Sequence, residues 1–126
     1  MIGDFLNTNK RREVKTRADQ IIWHGKKYQL EKDTGYYVCT SGNRQRLHVA
    51  MWEDKWGRAV PEGCIIHHMD WVKSHNYIDN LICLSISEHN SVHNPKGREA
   101  KPDDPEVIKL TQELIASRVN GVPAGY

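Results

Sequence analysis

Apolar residues in this chain come in short runs separated by polar, turn-forming clusters, and the spacing within the runs changes along the sequence. Ile21, Ile22 and Trp23, a turn at His24-Gly25-Lys26, and Tyr28 and Leu30 on the return predict a β-hairpin over Ile21 to Leu30. Tyr36-Tyr37-Val38-Cys39 reads as a further strand that turns at Ser41-Gly42-Asn43. From Arg46 to Trp56 the period lengthens: Val49, Trp52 and Trp56 recur at helical spacing, Gly57 is a natural stop, and the aromatics are expected in the core. Gly63 to His68 returns to a strand pattern, Asp70 to Asn80 is polar enough to be a loop, and Leu81-Ile82-Cys83-Leu84 is a short apolar strand. Ser85 with Glu88 three residues on has capping-box spacing, and Pro95 followed by Gly97 closes that helix after two to three turns. Asp104 and Pro105 cap a last helix, whose Val107, Ile108, Leu110, Leu114 and Ile115 form a stripe that packs on the domain or on a second copy. The elements together make a small α+β fold.

Chemistry is concentrated in the strand, loop, strand, helix unit. Of the seven histidines, His67, His68, His75, His89 and His93 fall within it, which points to a metal or phosphate site. Neighbouring side chains on a strand leave on opposite faces, so His67 and His68 are expected to do different jobs. His89 and His93 are an i, i+4 pair on one helix face, able to reach a single ion. His75 lies among polar loop residues and reads as solvated. His24 and His48 read first as packed or surface residues, with His48 placed to start a helix that faces the site. Cys39, Cys64 and Cys83 are far apart and form no CxxC pair, so they read as reduced core residues rather than as a closed structural zinc site.

His67-His68-Met69-Asp70, Asn80-Leu81 and the pair His89 and His93, with Asn80 nine residues ahead of His89, resemble the HNH nucleases with a ββα-metal core. Leu47-His48-Val49-Ala50-Met51-Trp52-Glu53, Gly57 and Val60-Pro61-Glu62-Gly63 are similar to the helix and turn that precede this motif in small phage and prophage members, and the likeness runs over about residues 36 to 94. Many members carry Gly-Asn after the aspartate, where this chain has Trp71-Val72; the departure bears on the first loop and not on the metal-facing residues.

The resemblance implies a metal-dependent endonuclease that hydrolyses DNA and leaves 5′-phosphate and 3′-hydroxyl ends. His68 is then the general base, a role that suits a side chain with an unperturbed pKa of ~6.5. His67 and His89 are metal ligands, and His93 is a third ligand or a contact to the scissile phosphate. Asn80 braces the loop and helps to orient the base, with Asp70 and Asn76 supporting. One divalent ion is implied, from among zinc, nickel, manganese and magnesium, and three nitrogens favour a transition ion over magnesium. Two rival readings share the motif: a DNA-binding module with a spent site, and a nuclease subunit of a phage packaging machine.

At 126 residues there is room for one domain. It divides into a basic arm or helix over 1–20, the nuclease domain over 21–95 with its core at about 63–95, and a linker with a C-terminal helix over 96–126. A net charge of +2 does not by itself argue for nucleic acid, but its distribution does: Lys10, Arg11, Arg12, Lys15 and Arg17 lie close together, and Lys96, Arg98 and Lys101 follow the histidine helix. These are the candidate DNA contacts. No run approaches the ~20 apolar residues of a membrane span, and no apolar signal stretch opens the chain, so a cytoplasmic protein is expected, in the host cell if phage-encoded. DNA is the expected partner, with a phage packaging or replication protein as a second, and the state is monomer or homodimer.

Overall fold

The computed structural model describes Val14–Arg17 and residues 19–126. Four antiparallel strands lie in sequence order, β1 (Val14–Arg17), β2 (Gln20–Trp23), β3 (Lys26–Glu31) and β4 (Tyr36–Cys39). Helix α1 (Leu47–Trp56) follows, then strands β5 (Cys64–His68) and β6 (Leu81–Ser85), helix α2 (Ile86–His93) and helix α3 (Pro105–Ser117). The expected α+β class and ββα unit are both present. Strand β1 corrects one expectation. Residues 1–20 read as an arm or helix, yet Val14–Arg17 pairs with β2, Val14 opposite Ile22 and Lys15 opposite Ile21. Alternating β-branched Val14 and Thr16 are a strand pattern that the basic character of the segment hides. Lys10, Arg11 and Arg12 lie outside the described residues.

Two apolar cores share the β5–β6 pair, and the strand period decides which residue joins which. Leu81 and Cys83 of β6, with Ile66 of β5, point into a core built with Ile21, Tyr28, Tyr37, Leu47, Met51 and Trp52. Ile82 and Leu84, one position out of phase, point the other way onto Val92, Val107 and Leu114 of α2 and α3. Full burial of side chains such as Leu47 and Leu84 contributes about 1.5–3 kcal/mol each. The register sets the histidines on the same two faces: His68 pairs with Leu81 and His67 with Ile82. His68 therefore turns towards α1 and His67 towards α2.

Helix ends follow the sequence signals. Gly57 takes φ 65° and closes α1 with its N–H on the Glu53 carbonyl. Ser85 Oγ accepts from Glu88 N–H and Glu88 Oε1 from Ser85 N–H, so α2 begins on a complete capping box. Asp104 accepts from Glu106 N–H at the start of α3. Beyond α3 the chain returns to the first core: Val122 is buried, and Gly121 lies flat against Trp56, where an added Cβ would come within 2.5 Å of the indole. Trp56, expected in the core, packs against this returning segment but is 42% exposed.

A clasp from the same region fixes α2. The Arg118 guanidinium donates to both Glu88 oxygens, at 3.0 and 2.7 Å, and to the Cys83 carbonyl at 2.6 Å. It thus ties the last segment to the first turn of α2 and to β6. Cys39, Cys64 and Cys83 are free thiols, as expected; burial, with Cys64 beside it, pushes the Cys83 thiol up to about 12.

Candidate metal centre and cleft

His67 leaves β5 on the α2 side and meets His89 and His93, which α2 presents on one face. Ring centroids of His67 lie 5.4 Å from each of the other two, and His89 and His93 lie 4.5 Å apart. One ring nitrogen from each falls within 4.8 Å of the others, close enough for a single ion. Burial, then the neighbouring His89, His93 and His68, pushes His67 down to about 3, against a smaller opposing pull from Asp70. Burial also lowers His89 and His93, with His93 adding to the shift of His89. All three are thus neutral imidazoles, the ligand form. His67 Nε2 is buried with no hydrogen-bond partner. An orphaned nitrogen on a buried imidazole that stands beside two more imidazoles is costly unless an ion completes it, so these residues fit a divalent metal.

His68 leaves on the opposite face. Its Nε2 lies 2.9 Å from Asn76 Oδ1, and Asn76 is 2% exposed. An amide oxygen only accepts, so Nε2 carries the hydrogen and the lone pair of neutral His68 is on Nδ1. Burial lowers the His68 pKa, while the Asn76 bond and Asp70 pull it upward. Behind it stands His48 of α1, buried, 4.6 Å away ring to ring and stacked at 5.0 Å on Tyr36 of β4. Burial, then His68 and Arg46, pushes His48 down to about 3, although its ring N–H donates to the Ile66 carbonyl. His48 is a neutral strut behind His68.

The loop between the strands is held by a network of its own. Asn80 Oδ1 accepts from Asp70 N–H, and Asn80 Nδ2 donates to Asp70 Oδ1 and to the His75 carbonyl. Asp70 also accepts from Val72 N–H at 2.9 Å and meets His75 Nδ1 at 2.6 Å. Burial would raise the Asp70 pKa, but the bonds from His75, Val72 and Asn80 outweigh it and hold the carboxyl below its ordinary value. Asn80 was expected both to brace the loop and to orient the base. It braces the loop, and these three bonds occupy its amide; the contact to His68 comes from Asn76. His75, expected to be solvated, is exposed yet part of this clasp.

A cleft of about 300 Å³ joins the two histidine sets, lined by His67, His68, His89, His93, Trp71 and, on the far wall, Tyr36 and Lys73. Lys73 Nζ sits 4.7 Å over the Tyr36 ring and donates to the Thr34 carbonyl, while the Arg46 guanidinium lies 4.1 Å from the same ring. Tyr36, Arg46 and Lys73 were not singled out in the sequence, since three residues from three segments leave no local signal. Neither Lys96 nor Arg98 lines this cleft, and Lys96 is paired with Glu106 at 3.3 Å. Lys15 and Arg17 lie on β1.

Residues 45–91 match the family model described as HNH endonuclease. The matched segment belongs to the HNH endonuclease family. It spans α1, β5, the loop, β6 and most of α2, and so contains His67, His68, Asn80 and His89 of the HNH motif. No curated protein and no solved structure was found to match the chain. His93, Arg118 and Tyr36 lie outside the matched HNH segment. Among the described residues no helix is long and apolar enough to cross a membrane.

Proposed function

We propose that the protein is a metal-dependent DNA endonuclease in which His67, His89 and His93 hold one divalent ion and His68 is the general base. The observation that carries this reading is the buried, partnerless His67 Nε2 beside two further imidazoles, on the strand whose next residue is the Asn76-anchored His68. Three neutral imidazoles suit zinc, nickel or another first-row ion better than magnesium. When bound, the ion supplies positive charge to the phosphoryl oxygens and to the departing 3′ oxygen.

The side chains do the rest. His68, kept neutral by burial, takes the proton of the attacking water on Nδ1. Asn76 keeps Nε2–H bonded throughout, so the ring does not turn as it charges. Asp70 favours the imidazolium once it forms. Lys73, which lines the cleft, and Arg46, over the Tyr36 ring, are placed to contact the phosphates that flank the cleaved bond.

Plasmid cleavage tests the reading, measured with zinc, nickel, manganese and magnesium and with a chelator control. Cleavage should require a transition ion. His68→Ala should lose roughly 10²–10⁴ of the rate with metal affinity retained. DNA binding without cleavage in any of the four ions would favour a binding module over an enzyme, and near wild-type cleavage by His68→Ala would remove the base role.

A further inference from the structure

Trp71 stands where a side chain of its size is least at ease. Its φ is 66°, in the left-handed region that bulky residues avoid and glycine tolerates. The turn is imposed from outside the residue: Trp71 N–H bonds to the His68 carbonyl, Asp70 takes Val72 N–H on one side, and Asn80 holds Asp70 N–H on the other. Strain of this kind persists only where the surroundings over-determine it, and it is then found at functional positions.

The side chain goes to the metal centre. The indole centroid lies 4.1 Å from that of His93 and 6.4 Å from that of His67, and the indole lines the cleft. Like Met69, Ala100 and Leu110, Trp71 also packs against the second core. His93, by contrast, is the last residue of α2, where the helix gives it little support from the following turn. Of the three candidate ligands, it most needs a wall.

We propose that Trp71 is a positioning residue for the metal centre, its indole fixing the His93 ring so that the three imidazoles converge; this rests on the reading of His67, His89 and His93 as ligands. The turn at Trp71 is what brings its indole onto the His93 ring.

The test is Ni²⁺ affinity by calorimetry in the full chain, with wild type, W71G and W71F. Glycine relieves the backbone and removes the wall, so W71G should keep its fold and lose metal affinity by about 10–100-fold, the range for outer partners of a ligand histidine. W71F keeps an aromatic face on His93 and should stay close to wild type. Tryptophan fluorescence gives a second readout, since bound Ni²⁺ should quench the indole beside it, and most of that quench should vanish in W71F. If W71G does not fold, W71N, also at ease at positive φ, makes the same comparison. Wild type that binds Ni²⁺ while W71G, or in its place W71N, binds equally well overturns the inference alone, and so does a W71F as weak as W71G. Wild type that takes up no Ni²⁺ overturns the metal reading, and the inference with it.

Discussion

Arg118→Ala is expected to cost far more than a surface charge deletion, and the structure says why. The Arg118 side chain is 9% exposed and the Glu88 side chain 26%. Removal strips both Glu88 oxygens of their guanidinium donors and leaves the Cys83 carbonyl without that bond. Breaking a fully buried ion pair by removing one partner costs about 3–5 kcal/mol; with a quarter of Glu88 in water the loss is screened, and about 2–4 kcal/mol is expected. Urea denaturation of the metal-free protein measures it, and a double-mutant cycle with Glu88→Gln should return a coupling of at least about 1 kcal/mol. The dependence on pH adds a check. Arg118 is the main reason that Glu88 titrates below its ordinary value, against an opposing effect of burial. The clasp therefore stabilises fully above the unfolded carboxylate range, and its contribution is lost as pH falls through the folded-state value, so the gap between wild type and Arg118→Ala should narrow in acid. A loss below about 1 kcal/mol, or a gap that stays constant down to acid pH, would refute the reasoning.

Three further expectations follow from the site. Asn76→Ala should lower cleavage by about 10–100-fold, as loss of an outer partner does, while calorimetry finds metal affinity unchanged. In chelator, His48 and His67, at about 3 in the fold against ~6.5 unfolded, make the unfolded chain bind more protons between those values; stability should fall as pH drops below ~6.5, by up to about 1.4 kcal/mol per pH unit for each histidine, and urea midpoints that stay flat from pH 7 to 5 would contradict this. Replacing Lys73 and Arg46 together by Gln should flatten the salt dependence of DNA binding by about two counterions, whereas an unchanged slope would take both residues off the DNA.

Local signals carried much of this fold. The alternation at His67 and His68, the i, i+4 spacing of His89 and His93, and the Ser85 and Glu88 cap each depend on one element's own period, and each is as the sequence implied. What stayed hidden needs two distant segments at once. Arg118 meets Glu88 across thirty positions, and Lys73 reaches Thr34 across thirty-nine, so neither leaves a periodic trace. Asn76 and Asn80 are two asparagines in one loop, and only the folded loop shows which amide faces His68 and which is occupied by Asp70. Trp71 was visible as a departure from the HNH pattern, but its consequence required the sign of one backbone angle.

Zinc or nickel titration by calorimetry, run in parallel on wild type and His67→Ala, bears most directly on the central claim. Wild type should bind one ion per chain. For His67→Ala, with its melting transition retained, the affinity should be reduced beyond the roughly 10–100-fold that outer partners are worth. A wild-type chain that binds no ion, or a His67→Ala chain that binds as tightly as wild type, would contradict that claim.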